Sequence, residues 1–553
     1  MKKQLDKMLF YGDNLTRMQQ MAKSSVDLIY LDPPFNSKRN YNLMYKNMTG
    51  KPVPEQAEAF CDTWEMDPEK EAIAKAMPVL MREHGVEDYY VEFWRLWMGA
   101  LRNTQPHLLA YLIYMVLRLL HMKTILRPTG SIYLHCDPTA SHYIKVMMDG
   151  IFGHTNFQNE IAWKRTSSHN SANRWGPVHD VILFYTKSDK YTWNRIYQKY
   201  DESYIENFYR HKDIAGRFRL GDLTGAGVRT GASGQPWRGV DPTESGRHWA
   251  VPSIPNLSKE EIHKLTVQER LDALDTLGLI YWPKRGKIPQ FRRYYDPTRG
   301  VSIQDVVTDI DPLSPHAEER LGYPTQKPIA LLDRIILASS NEGDVVFDPF
   351  CGCGTTIYSA EKNNRKWTGC DIAILSIRLI TDTLVKKYRL VEGVDFKVDG
   401  IPVSVEQAEE LFKRDPFQFQ HWLVEKIGGF PMQKKVADKG IDGRLYFETR
   451  EGLKEMMLSV KGGKLRPTDI RDLRGVLERE DSAEMAGFLS LQEPSKAMRD
   501  EAARAGMYEY GDVKYPRIQM LTVREILVEK REFHTPTRLG SRMATGQASF
   551  AYA

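Results

Sequence analysis

Two short segments combine residues that could hold a reacting group and a bound ligand. Asp32-Pro33-Pro34-Phe35 follows the apolar run Val26–Leu31, and residues 348–355 (Asp-Pro-Phe-Cys-Gly-Cys-Gly-Thr) follow a second β-rich run at 344–347. Such runs predict buried strands, and open α/β sheets bind ligands beyond the carboxyl ends of their strands. We therefore expect both segments to be loops at the ligand-binding edge of a sheet.

The proline segment would present two fixed hydrogen-bond acceptors. Its prolines restrict the backbone, so the Asp32 carboxylate and the Pro33 carbonyl would be held on a stiff loop. Preorganised acceptors can bind both hydrogens of an exocyclic amine and favour the tetrahedral nitrogen of a transition state. Phe35 could stack on a base that has left the duplex. The structural alternative is that Asp32 caps a helix beginning at the prolines.

The glycine segment suits a nucleoside ligand. Gly352 and Gly354 would let the backbone approach a ligand closely, and Asp371, at the end of the next predicted strand, would hold a ribose. A dinucleotide GxGxxG motif would need a third glycine where Ile357 stands, and no Gly-Lys-Ser/Thr phosphate loop follows. A nucleoside cofactor without a pyrophosphate fits best, and an ordinary strand–helix turn is the alternative.

Length and composition restrict the class of protein. A chain of 553 residues exceeds one ordinary core, so we expect about two to four domains. With 42% hydrophobic and 27% charged residues the composition is that of a soluble protein, and a net charge of +5 alone says little about nucleic acid. No apolar run has membrane-spanning length and no signal-peptide core follows Met1. We expect a cytoplasmic protein without membrane contact.

Cysteine usage agrees with a reducing compartment. The five cysteines are odd in number and scattered, which argues against a disulfide framework. Cys351 and Cys353 lack the second nearby Cys/His pair that a zinc site needs. We therefore expect no zinc.

The strand and helix signals divide the chain into five parts. Residues 1–187 and 321–400 alternate strand and helix patterns, whereas residues 188–320 are rich in Arg, Trp and Gly. Residues 412–530 have a strand–helix pattern of their own, and residues 531–553 suggest a flexible tail. This order predicts a Rossmann-like α/β domain with an inserted region, followed by a smaller α/β domain.

These segments and their order resemble the β group of DNA amino-methyltransferases over roughly residues 1–388. Tyr11-Gly12-Asp13-Asn14, Leu134-His135-Cys136-Asp137-Pro138 and Thr325-Gln326-Lys327-Pro328 also match that family. The resemblance implies that Asp32, Pro33, Pro34 and Phe35 form the catalytic loop. It also implies an S-adenosylmethionine site that comprises Asp13, Thr325, Lys327, Asp348, Phe350, Gly352, Gly354, Thr355 and Asp371.

The resemblance implies methyl transfer to an exocyclic amino group of a flipped base in double-stranded DNA, by a prokaryotic or phage-encoded enzyme. No cysteine follows a proline, which argues against methylation at cytosine C5. Aspartate at the head of the proline loop favours adenine N6, and cytosine N4 is the alternative. An RNA methyltransferase and a non-enzymatic DNA-binding protein with an inactive cofactor site stay open, as does a homodimer or a separate restriction subunit as partner.

Basic residues beside aromatic ones predict contacts to DNA. The resemblance makes residues 188–320 the target-recognition region, and arginines suit phosphates and base edges. The alternative is packing, with arginine stems lying along aromatic rings. The predicted contacts are Lys164, Arg165, Arg174, Arg238, Arg247, Arg292 and Arg293.

Residues 412–530 resemble the PD-(D/E)xK restriction-nuclease fold. Asp442 and Lys461 stand at the Asp and Lys positions, and Glu425 would be the helix acid. In that fold carboxylates bind Mg²⁺ and the lysine orients the nucleophile, so the resemblance implies Mg²⁺ at Asp442. Ser459 occupies the position of a second metal-binding acid or a glutamine. A combined restriction–modification enzyme and a degenerate nuclease fold that contacts DNA or protein are both open.

Overall fold

A computed structural model describes most of the chain. The described residues are 6–34, 40–43, 57–61, 64–166, 173, 175–255, 257–284, 288–296, 300–314, 317–321, 326–432, 440–450, 452–480 and 483–538. Phe35, Arg174 and Thr325 lie outside them, as do residues 539–553 of the predicted tail.

A nine-stranded sheet dominates the structure. Only His179–Thr186 runs antiparallel to its neighbours, and the other adjacent pairs are parallel. The predicted α/β fold is therefore confirmed for this part of the chain. In spatial order the strands are Val306–Val307, Phe157–Lys164, His179–Thr186, Leu126–Cys136, Val26–Leu31, Val345–Asp348, Lys366–Asp371, Met8–Tyr11 and Lys397–Asp399.

Helices cover this sheet because its strands are apolar on both faces. Every residue of Val26–Leu31 is buried. The helix Pro106–Ile125 has the length and hydropathy of a membrane span, but 78% of its apolar window is buried in the protein. The helices are Asn14–Gln20, Pro68–Glu83, Asp88–Thr104, Pro106–Ile125, Pro138–Phe152, Ile329–Ser339, Thr355–Lys362 and Ile374–Lys386, with a 3₁₀ turn at His154–Asn156. Asn40–Leu43 pairs with Ala57–Cys61 apart from the sheet.

Residues Arg195–Ile303 form a separate compact unit. Its core surrounds Trp237 and Trp249. The strands are His211–Asp213, Gly216–Asp222, Ile280–Tyr281 and Gln290–Tyr294 in one sheet, and the pairs Thr224–Ala226 with Arg247–Trp249 and Tyr197–Gln198 with Val301–Ser302. The helices are Glu202–Phe208, Lys259–Lys264 and Val267–Thr276, with 3₁₀ turns at Ala232–Gly234 and Pro242–Ser245.

The C-terminal residues form a six-stranded sheet within the same compact unit as the nine-stranded one. One hydrophobic core contains Tyr11 and Ile377 beside the large sheet together with Trp422 and Leu458 of the C-terminal part. The strands are Phe430–Pro431, Gly443–Thr449, Gly452–Lys461, Ala483–Ser490, Ile518–Thr522 and Thr537–Arg538, and Met507–Tyr510 forms a hairpin with Val513–Pro516. The helices are Val405–Arg414, Pro416–Lys426, Pro467–Leu477, Lys496–Ala503 and Val523–Leu527.

Candidate active site

The two predicted loops emerge side by side from the large sheet. Val26–Leu31 pairs in parallel with Val345–Asp348, with Leu28 opposite Val346 and Ile29 opposite Phe347. Both strands therefore end at the same edge, where Asp32 and Asp348 begin the loops. Residues 32–34 lie outside any helix, so Asp32 does not cap one that begins at the prolines.

Asp32 is paired with a lysine from the segment before the glycine loop. Lys327 Nζ donates a hydrogen bond to Asp32 Oδ2 at 2.5 Å. The two side chains are 9% and 17% exposed, so the ion pair is largely withdrawn from water. Lys327, which the sequence assigned to the cofactor, thus contacts the proposed catalytic carboxylate.

Asp371 holds the glycine loop through backbone amides. Its Oδ2 accepts a hydrogen bond from Gly352 N at 2.8 Å and its Oδ1 accepts one from Ala373 N at 2.9 Å. Burial raises the pKa of Asp371 to about 6, and the amide hydrogen bonds oppose that shift. Gly352 and Gly354 have φ of 50° and 88°, the left-handed region that favours glycine.

Asp348 is a second buried acid beside these loops. Its Oδ1 accepts from Phe350 N at 2.9 Å. Burial raises its pKa to about 7, and the charges of Asp32 and Asp371 act in the same direction. Three carboxyl groups from three neighbouring strand ends thus interact electrostatically. Thr355 begins the helix Thr355–Lys362 and is buried.

The Gly-Asp-Asn segment reaches the same edge. Asn14 Nδ2 donates to the Pro349 carbonyl at 2.8 Å, and Gly12 N donates to the Asp371 carbonyl at 2.9 Å. Buried Arg118 donates to Asp13 Oδ2 at 2.6 Å and to Asn14 Oδ1 at 2.7 Å. Arg118 was not predicted, since it lies within an apolar helix and its sequence neighbours give no sign of a partner.

A buried polar network lies next to the proline loop. Tyr30 OH and His135 Nδ1 are 2.9 Å apart, and His135 Nε2 is 3.1 Å from Asp180 Oδ2. Arg165 Nη1 lies 3.2 Å from the other Asp180 oxygen. Burial favours a higher pKa for Asp180, but the bond from His135 and the nearby cations Lys327 and Arg165 lower it below its usual range. An ionised Asp180 accepts from His135 Nε2, and in the neutral imidazole Nδ1 would then accept from the Tyr30 hydroxyl.

The sequence offered one signal for this network. His135 lies in the Leu-His-Cys-Asp-Pro segment that matched the family resemblance without a role. Its hydrogen-bonding partner Asp180 belongs to another strand and had no recognisable motif.

Several of the predicted DNA contacts are paired with carboxylates of the protein. Lys164 is exposed, whereas Arg165 is held by Asp180. Within the unit Arg195–Ile303, three of the predicted arginines form ion pairs with carboxylates and Arg293 is exposed beside the Phe291 ring. The pairs are Arg238 with Asp272 and Asp275, Arg247 with Asp222, and Arg292 with Asp213. Their roles on DNA stay predictions.

Of the three predicted nuclease residues, Asp442 and Lys461 are close enough to interact electrostatically, and Glu425 lies elsewhere. Asp442 Oδ2 accepts from Val460 N at 2.6 Å and from Ser459 Oγ at 3.4 Å, and its Oδ1 accepts from Gln420. Lys461 is exposed. Glu425 instead bonds Tyr11 and the amide of Ile374. The assignment of Glu425 as the helix acid was therefore wrong.

Glu425 was wrongly assigned because its helix turns a different side chain toward Asp442. Gln420 and Glu425 lie five positions apart on Pro416–Lys426, which separates them by roughly 140° around the axis. Only the face of Gln420 points to Asp442. No group of three His, Cys, Asp or Glu side chains suited to a metal occurs in the described residues. The Mg²⁺ prediction at Asp442 has no support from them.

A large part of the chain, including both loops at the edge of the large sheet, matches known proteins. Residues 26–382 match the family model N6_N4_Mtase, described as DNA methylase. The Type II methyltransferase M.EcaI of Enterobacter cloacae is 34% identical over 282 residues, 51% of this chain and 58% of that protein. The Type III restriction-modification enzyme StyLTI Mod subunit of Salmonella typhimurium is 26% identical over 397 residues, 68% of this chain and 53% of that protein.

A shorter match extends the comparison. The DNA adenine methyltransferase YhdJ of Escherichia coli is 56% identical over 55 residues, 10% of this chain and 19% of that protein. The chain spans about half the length of the first two relatives.

Proposed function

Because the chain belongs to the DNA methylase family, we propose that it transfers a methyl group from S-adenosylmethionine to an exocyclic amino group of double-stranded DNA, with adenine N6 as the acceptor. Family membership agrees with the resemblance read from the sequence. The observation that carries the proposal is the placement of Asp32 and Asp348 at the ends of two adjacent parallel strands. A methyl acceptor and a methyl donor bound at these two loops would meet at one edge of the sheet.

The polar and apolar groups at this edge fit a nucleoside. Asp371 and Asp13 offer carboxylate oxygens, which suit ribose hydroxyls and the adenine amino group respectively. Ile372, next to Asp371, leaves 47% of its apolar side chain exposed, which would suit one face of an adenine ring. Gly352 and Gly354 keep side chains out of the adjoining loop. S-adenosylmethionine, when bound, supplies an activated methyl group on a sulfonium.

The proline loop would hold the acceptor amine. The Asp32 carboxylate and the Pro33 carbonyl can each accept one amine hydrogen, which orients the nitrogen lone pair toward the methyl group. Lys327 keeps Asp32 in place before the base enters. The amine becomes positively charged as it is methylated. Asp32 stabilises this charge until the amine loses its extra proton.

Adenine is preferred over cytosine for two reasons. Aspartate rather than serine heads the proline loop, and the segment that matches YhdJ matches a protein named as a DNA adenine methyltransferase. We propose the unit Arg195–Ile303 as the target-recognition part and the cytoplasm as the location. The Mod subunit match supports a partner restriction subunit as part of the proposal.

A combined restriction–modification activity gains little from the C-terminal part. The order of Asp442 and Lys461 supports a nuclease-like fold. The Asp442 carboxylate, however, already accepts hydrogen bonds from Gln420, Ser459 and Val460. We propose a nuclease-like domain that does not cleave DNA.

The test is methyl transfer from labelled S-adenosylmethionine to unmethylated genomic DNA, followed by digestion to nucleosides. Wild type should yield N6-methyladenine, and Asp32→Ala should yield none while still binding the cofactor. If N4-methylcytosine forms instead, the acceptor is cytosine rather than adenine. Absence of cofactor binding by the wild type would refute the methyltransferase proposal. Addition of Mg²⁺ should leave the DNA uncut.

A further inference from the structure

Glu425 connects the C-terminal part of the chain to the proposed cofactor edge. It lies near the end of the helix Pro416–Lys426, and its Oε2 accepts two hydrogen bonds from elsewhere in the protein. Tyr11 OH donates to it at 3.3 Å, and Ile374 N donates to it at 3.3 Å. One carboxyl oxygen thus joins the end of the strand Met8–Tyr11 to the beginning of the helix Ile374–Lys386.

The two joined segments are those that flank Asp371. Gly12, directly after Tyr11, donates its amide to the Asp371 carbonyl at 2.9 Å. Ala373, directly before Ile374, donates its amide to Asp371 Oδ1 at 2.9 Å. A shift of the first segment would therefore disturb the Asp371 backbone, and a shift of the second would disturb its carboxylate directly.

The position of Glu425 is fixed by packing. Tyr11, Ile374 and Ile377 share one hydrophobic core with Trp422 and Leu423 of the helix that carries Glu425. Closely packed cores do not deform gradually. The C-terminal part therefore packs directly against the segments that flank Asp371.

We propose that Glu425 is a positioning residue of the cofactor site, through which the C-terminal part of the chain sets the affinity for the cofactor. This rests on the proposed function, because it assumes that Asp371 holds the cofactor ribose. Glu425 touches no reacting atom and acts through Tyr11 and Ile374. The C-terminal part then has a role in methylation that requires no cleavage of DNA.

The charge of Glu425 suggests how to test it. Burial raises its pKa to about 8, and the charge of Asp371 raises it further while Arg378 and the bonds from Ile374 and Tyr11 lower it. A protonated Glu425 adds no second negative charge beside Asp371. Glutamine, which is neutral and keeps an acceptor oxygen, is the conservative replacement, whereas alanine removes the acceptor.

Calorimetric titration of the full-length protein with S-adenosylmethionine, without DNA, is the decisive experiment. Glu425→Ala should bind the cofactor roughly three- to ten-fold more weakly, the effect expected for lost hydrogen bonds. Glu425→Gln should recover most of the affinity. Tyr11→Phe, which keeps the ring in the core and loses one donor, should weaken binding less than Glu425→Ala. Glu410→Ala, which removes an exposed carboxylate of the neighbouring helix, is the control and should bind as wild type does.

Steady-state methylation separates positioning from chemistry. Glu425→Ala should raise the KM for the cofactor by the same factor and leave kcat nearly unchanged. Equal cofactor affinity in wild type, Glu425→Ala and Tyr11→Phe would overturn the inference while leaving the proposed function intact. If Glu425→Ala does not fold, Tyr11→Phe decides the question alone. A wild type that binds no cofactor would overturn both.

Discussion

Lys327 Nζ and Asp32 Oδ2 lie 2.5 Å apart in a nearly buried ion pair that joins the segment before the glycine loop to the proline loop. Lys327→Met should lower the free energy of unfolding by about 3 kcal/mol, because a largely buried carboxylate would lose its cation. The double variant Lys327→Met/Asp32→Asn should recover most of this loss, since both charges are removed. Urea unfolding of the four proteins without cofactor measures the coupling, and independent, additive losses would contradict it.

The Tyr30–His135–Asp180 network should hold the proline loop in its working position. Asp180→Asn removes the anion that favours a donating Nε2 on His135, which should weaken the hydrogen bond between His135 Nδ1 and Tyr30. We expect a loss of about 2 kcal/mol of unfolding free energy for Asp180→Asn and about 1 kcal/mol for Tyr30→Phe, which removes one neutral hydrogen bond.

Kinetic measurements on the same variants report the effect on the loop. Both should lower kcat for methylation while the affinity for S-adenosylmethionine stays within about two-fold, a difference of less than about 0.5 kcal/mol. A parallel loss of cofactor affinity would show that the network supports the whole sheet edge rather than the proline loop.

The loops were predictable because their signals are local. A buried strand followed by Asp-Pro-Pro or by a glycine run identifies a loop at a strand end, and the parallel arrangement brings such ends together. The lysine partner of Asp32 was not predictable in the same way. Lys327 was assigned to the cofactor because its motif carried that resemblance, and only the folded chain places it against Asp32.

Contacts that depend on orientation were beyond the sequence. Glu425 was assigned to Asp442 because both lie in one region, yet the packing of one helix directs Gln420 to Asp442 and Glu425 to Tyr11. The arginines of the unit Arg195–Ile303 were read as DNA contacts from composition, which gives no information about their carboxylate partners. Arg292 and Asp213 lie on two strands that flank a third, Gly216–Asp222. Their ion pair therefore depends on the register of both outer strands with the middle one.

Cofactor affinity should fall in acid because Asp371 must be ionised to accept hydrogen bonds from a ribose. Burial raises its pKa to about 6, so the acceptor is lost as the pH falls through 6. We expect the Kd for S-adenosylmethionine at pH 5 to be about ten-fold higher than at pH 7.5, since one pKa unit corresponds to one decade. Binding near pH 6 should also release protons, which calorimetry in buffers of different ionisation enthalpy detects.

Neighbouring carboxyl groups require a control for this pH dependence. The pKa of Asp348 is raised to about 7 and that of Glu425 to about 8, so their titration lies above that of Asp371. Asp371→Asn should bind weakly and lose the change between pH 6 and pH 5. An undiminished acid dependence in that variant would assign the effect to another group.

His421 should make the C-terminal part sensitive to acid. The side chain is 5% exposed, and burial lowers its pKa from 6.5 to about 4. The unfolded chain therefore takes up a proton below about pH 6.5 while the folded chain resists until about pH 4. The free energy of unfolding should decrease across this window by up to about 3 kcal/mol, at about 1.4 kcal/mol per pKa unit.

The comparison of wild type with His421→Gln isolates this contribution. Asp348, Asp371 and Glu425 have raised pKa values, so the folded state binds their protons first and their contributions increase stability as the pH falls. They act equally in both proteins and cancel in the difference. Urea unfolding at pH 7.5 and pH 4.5 should show the variant gaining about 2–3 kcal/mol relative to wild type on acidification. A difference that is the same at both pH values would mean that His421 is protonated as easily in the folded chain as in the unfolded one.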